Sequence, residues 1–88
     1  MIRAIDKEAL ALLGARIKEV RKIKKMSQEQ LAYSADISLS QLSRIESGKH
    51  NTSISSISAM CKAFNITLME FFTDVNYPLP VKPKAKKK

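Results

Sequence analysis

The sequence has 88 residues, of which 44% are hydrophobic, 16 are basic and 8 acidic, with one cysteine and one histidine. That length fits one domain, burying roughly 60% of the surface its unfolded chain exposes, with no room for a deep substrate cavity. A lone cysteine excludes an internal disulfide, and Cys61 with His50 cannot build a zinc site.

The net charge of +8 points to a polyanionic partner. It is unevenly spread: five basic residues are Lys82, Lys84, Lys86, Lys87 and Lys88, and the remaining eleven against eight acidic residues leave only +3. No apolar run approaches the length of a membrane span. Arg3, Asp6, Lys7 and Glu8 stand where a signal peptide needs an unbroken apolar stretch. The expectation is a soluble, cytoplasmic protein with no membrane partner.

A first helix is expected from about Asp6 to Lys24. Leu10, Leu13, Ile17 and Val20 recur at spacings of three and four and define its buried face. Arg16, Lys18, Arg21, Lys22, Lys24 and Lys25 occupy the other faces and the end. Ser27-Gln28-Glu29-Gln30 has the form of a capping box and opens a second, short helix ending near Ser34. Leu31, Ala32 and Ala35 face its core side.

Ser38-Leu39-Ser40-Gln41 repeats the capping pattern for a third helix, with Leu42 and Ile45 inward and Gly48 as its stop. A fourth helix follows Ser53, with Ile54, Ile57, Met60, Cys61 and Phe64 on one face and Asn65 as a left-handed stop. Thr67-Leu68-Met69-Glu70 caps a short fifth helix carrying Leu68, Phe71 and Phe72. After Asp74, Pro78, Pro80 and Pro83 exclude a helix interior. The expected organisation is an N-terminal segment 1–8, a domain 9–74 and a flexible basic tail 75–88.

Two short helices joined by three or four residues make a helix-turn-helix, here spanning 28–46. Ala32 must be small where the two helices cross. Leu42 and Ile45 anchor the second helix, whose polar side is then free for the major groove of DNA, wide enough to admit a helix.

Gln28-Glu29-Gln30-Leu31-Ala32, Ile37-Ser38 and Ser43-Arg44-Ile45-Glu46-Ser47-Gly48-Lys49 together resemble the Cro/repressor-like, Xre-type DNA-binding domain. The resemblance covers about Leu13 to Phe72 and implies an all-α, compact five-helix, lambda-repressor-like fold. Phage repressors are the standing illustration of the docking mode it implies, second helix in the major groove.

The resemblance also implies roles. Gln28 matches a phosphate-contacting glutamine at a helix N-terminus, where bare amides favour an anion. Ser38, Leu39, Ser40, Ser43 and Arg44 match base-reading positions, with Arg44 suited to guanine through its paired donors. Ser47, Lys49, His50 and Asn51 match contacts to the DNA backbone. Arg21 and Glu46 match a structural ion pair. Asp36 and Lys25 stand where the family favours glycine, and Thr52 where proline is frequent.

The expected function is a transcriptional regulator that binds a palindromic operator in double-stranded DNA as a homodimer. The dimer surface is expected near helix five, from Phe71, Phe72, Val75 and Tyr77. The compact form resembles controller proteins of restriction–modification systems; antitoxins of similar size are equally open. The alternative is a protein-interaction module of the same fold, binding DNA only through its lysine tail. No acid–base pair, activated nucleophile or Gly-rich phosphate loop points to an enzyme, and no metal, cofactor or small-molecule ligand is expected.

Overall fold

The computed structural model describes residues 6–73. Five helices follow in order: α1 Lys7–Ile23, α2 Gln28–Ala35, α3 Leu39–Glu46, α4 Ile54–Phe64 and α5 Leu68–Thr73. Among the described residues there is no strand. Val75, Tyr77 and the lysine tail lie outside them. α1 starts at Lys7, so it runs through the boundary expected between residues 8 and 9.

Short polar side chains set the helix starts. Asp6, Ser27, Ser38 and Ser53 each accept a hydrogen bond from a first-turn amide, satisfying one of the donors a helix N-terminus leaves open. At α2 the capping box is complete: Gln30 N donates to Ser27 Oγ at 3.0 Å and Ser27 N to Gln30 Oε1 at 2.7 Å. Thr67 and Glu70 do the same before α5. At α3 only half the expected box forms, because Ser38 Oγ receives Gln41 N while the Gln41 side chain does not return.

The helix ends share one device. Lys25, Asp36, Gly48 and Asn65 all have left-handed φ between 59 and 78°. After each, paired bonds close a Schellman motif, as in Lys49 N to the Arg44 carbonyl at 2.9 Å and Gly48 N to the Ile45 carbonyl at 3.0 Å. Only one of the four is glycine; Asp and Asn tolerate this conformation better than lysine does.

α1 packs on α3, α2 on both α3 and α4, and α4 on α5. Their shared core is Ile17, Val20, Leu31, Ala32, Ala35, Leu42, Ile45, Ile57, Met60, Cys61, Phe64 and Phe71. Each large apolar side chain buried here contributes roughly 1.5–3 kcal/mol relative to exposure. At the α1–α3 crossing, a Cβ on Gly14 would fall on the Ile45 carbonyl oxygen and 2.7 Å from that of Glu46. Two helix backbones therefore meet directly.

Three residues depart from the expected pattern. Arg16 is buried, with its guanidinium on the carbonyls of α5 rather than in solvent. Ile54 is 61% exposed, because the first turn of α4 projects beyond the core. Phe71 is fully buried in the protomer.

Candidate nucleic-acid interface

The helix-turn-helix is α2, the turn Asp36–Ser38 and α3. The turn bends because Asp36 adopts φ 59°, ψ 46°, which lets Ile37 N reach the Ala32 carbonyl at 3.0 Å. Ala32 is buried at the helix crossing, as its small size requires.

α3 divides cleanly by side. Leu42, Ile45 and Glu46 are buried, whereas Ser38, Leu39, Ser40, Ser43 and Arg44 are exposed. Among the described residues, the exposed Arg44 guanidinium has no hydrogen-bond or ion-pair partner. Ser38 already serves as the α3 cap, and the Ser47 hydroxyl donates to the Arg44 carbonyl at 3.1 Å. Among the described residues, the Ser40 and Ser43 hydroxyls have no hydrogen-bond partner. Lys49 and Asn51 are exposed and His50 half-buried in the segment after α3.

Glu46 joins three helices. Arg21 Nε donates to its Oε2 at 2.7 Å and Arg21 Nη2 to its Oε1 at 3.2 Å. Gln28 Nε2 adds a third bond to Oε1 at 2.9 Å. Arg21 Nη1 also holds the Met26 carbonyl at 3.0 Å, fixing the loop before α2. A buried carboxylate is tolerated only when its lone pairs are met in this way. The arrangement brings together the Arg21–Glu46 pair and adds Gln28. Gln28 is the first residue of α2, where a helix leaves its opening backbone N–H groups without partners in the helix. The link was missed from sequence, because Gln28 and Glu46 stand at opposite ends of the helix-turn-helix and only tertiary packing joins them.

The geometry is that of a rigid scaffold presenting one polar helix face. The family model described as "Helix-turn-helix" matches residues 17–71. The chain belongs to this family. It is 43% identical over 54 residues to the immunity repressor protein of Bacillus phage phi105, covering 61% of this chain but 38% of that protein. It is 36% identical over 63 residues to the control protein C.MunI of a Mycoplasma species, covering 70% and 85%. The crystal structure of the restriction–modification controller protein C.AhdI from Aeromonas hydrophila superposes with a TM-score of 0.70 at 33% identity, covering 73% of this chain and 97% of that one. The controller protein C.Esp1396I bound to a 25 base pair operator site gives 0.67 at 32% identity, covering 72% and 83%. These relatives are regulators rather than enzymes.

Among the described residues no helix is long and apolar enough to cross a membrane. No group of three or more His, Cys, Asp or Glu side chains there could hold a metal ion.

Of the surface expected for dimerisation, Phe72 is 43% exposed while Phe71 points into the core. Three residues before Phe72 on α5, Met69 is 78% exposed. Ile54, Ala59 and Leu68 line a shallow groove between α4 and α5.

Proposed function

We propose that the protein is a sequence-specific DNA-binding transcriptional regulator. It docks as a homodimer on a two-fold symmetric operator, with α3 in the major groove of each half-site. One observation carries this reading: Arg44 stands exposed, with no partner among the described residues, on a helix whose other face is locked into the core. A surface arginine with no internal partner, on a pinned helix, is suited to paired donation to guanine O6 and N7. Ser38, Leu39, Ser40 and Ser43 complete the reading face. Gln28, Ser47, Lys49, His50 and Asn51 hold the flanking phosphates, which positions the protein without specifying sequence.

The operator-bound relative supports the docking mode. Dimerisation follows from size, because one small module rarely reaches specific affinity by itself. The exposed Met69, Phe72 and Ile54 supply the apolar surface for a second copy. The chemistry is recognition; no residue is assigned a catalytic role.

The test is selection from a random pool of duplex DNA at near-physiological salt, with Arg44→Ala in parallel. Enrichment of a two-fold symmetric site, relaxed at one position per half-site in the variant, is the expected outcome. Equal retention without enrichment in both proteins would assign binding to charge alone and overturn the reading.

A further inference from the structure

α5 has six residues, so its last four carbonyls, from Glu70 to Thr73, have no partner within the helix. A helix this short has no stability of its own. Arg16 of α1 meets two of those carbonyls: Nε donates to Phe71 O at 2.8 Å and Nη2 to Glu70 O at 3.3 Å. Its charge complements the negative end of the α5 dipole. Its third nitrogen, Nη1, pairs with Glu19 Oε1 at 3.1 Å, which fixes the guanidinium plane.

The same guanidinium lies 5.6 Å from the Phe71 ring centroid, close enough for a cation–π contact. Phe71 in turn meets Phe72 edge-on, with centroids 5.1 Å apart and planes at 84°. A continuous path of contacts therefore runs from a buried cation on α1 to the exposed ring on the far side of α5. Phe71 and the half-buried Leu68, on one side of α5, pack it against the core but do not by themselves fix its rotation about that contact line. The fork on two successive carbonyls removes that freedom.

We propose that Arg16 is a positioning residue for self-association: by capping α5 it sets the angle at which Phe72 and Met69 meet a second copy of this chain. The proposal rests on the reading of the α4–α5 face as the dimer surface. Burying a guanidinium is a poor route to stability, since an apolar side chain of similar size often serves as well. A device that fixes the orientation of a short helix accounts for its presence.

The test measures the dimer dissociation constant by sedimentation for Arg16→Met, which keeps the apolar stem, and Arg16→Lys, which keeps the charge but not the fork. Ile17→Val serves as a control with a comparable loss of thermal stability. Arg16→Met is expected to raise the constant at least tenfold and Arg16→Lys by an intermediate factor, with Ile17→Val unchanged. Binding to a duplex carrying one half-site is expected to be unchanged, while cooperative binding to the full site is lost. If Phe72→Ser raises the constant but both Arg16 variants leave it within twofold, the positioning role is overturned and the dimer surface stands. If Phe72→Ser and Met69→Ser also leave it unchanged, the dimer-surface reading is overturned and this proposal with it. Equal weakening by Ile17→Val and Arg16→Met would reduce Arg16 to general stability and likewise overturn the proposal.

Discussion

Gln28 Nε2 donates to Glu46 Oε1 at 2.9 Å, so the side chain assigned to a DNA phosphate is tied to the last residue of the recognition helix. Glu46 has Arg21 as its main partner and Gln28 as a secondary one. Removing the two residues therefore has different effects. Glu46→Ala leaves the Arg21 guanidinium without its carboxylate and is expected to cost about 3–5 kcal/mol. Gln28→Ala loses one hydrogen bond and is expected to cost about 1 kcal/mol. It should also weaken DNA binding evenly across sequences. Urea denaturation and binding to matched and scrambled duplexes read the two effects separately.

Gly14→Ala should destabilise by roughly 1–3 kcal/mol through overpacking. Helix propensity alone predicts the reverse, since alanine is favoured over glycine by about 1 kcal/mol in a helix interior. The clash with two main-chain oxygens of α3 outweighs it. A rise in the urea midpoint of this variant would contradict the close crossing of α1 and α3.

Lys25→Gly should stabilise by about 0.5–1 kcal/mol. Lysine at φ 59° carries left-handed strain that glycine lacks, offset in part by the greater freedom of glycine in the unfolded chain. The lysine side chain is exposed, so little packing is lost. A thermal melt of the variant is sufficient to check it.

Arg44→Ala should leave the melting temperature nearly unchanged, because the exposed side chain has no partner among the described residues. Specific binding should fall by about 1–3 kcal/mol, with discrimination lost at the base pair it reads. Competition titrations with single-base operator variants locate that position.

Cys61 lies in the core, and burial pushes its thiol above the ordinary range, while the Arg16 charge pulls the other way without cancelling it. A raised folded-state value means the folded protein holds this proton more tightly than the unfolded chain. The associated stability is therefore fully present below the unfolded thiol value of about 8.5 and is lost as pH rises through the folded one. Cys61→Ala should flatten that alkaline decline in urea midpoints measured across pH. A thiol reagent should modify the native protein only as fast as it opens.

Much of the fold was legible because helix starts and stops are local. Ser27, Ser38, Ser53 and Thr67 cap where the sequence pattern places them, and Asn65 ends α4 as a left-handed residue. Three-residue and four-residue spacing identified Ile17, Val20, Leu31, Leu42, Ile45, Met60 and Phe64 as core. What was missed depends on tertiary contacts. Arg16 sits three residues after Leu13 and four before Val20, within the apolar stripe, yet its charge argued for solvent. Tertiary partners, the α5 carbonyls across the domain among them, make its burial possible. Ile54 fits the α4 stripe but lies at its first turn, where the core has ended. For Phe71 and Phe72, neighbours on a helix diverge by about 100°. The spacing from Leu68 turns Phe71 inward, so adjacent aromatics could not both serve a partner.

Because α1 and α3 meet main chain to main chain at Gly14, the recognition helix is held by atoms that every residue type shares. The five exposed residues at its outer side contribute little to that attachment. If these residues read the operator as proposed, substitutions there can change which operator is read without calling for compensating changes inside the domain. On the proposed reading, binding specificity can drift between lineages while the scaffold stays fixed, and Gly14, buried against α3, helps to permit that drift.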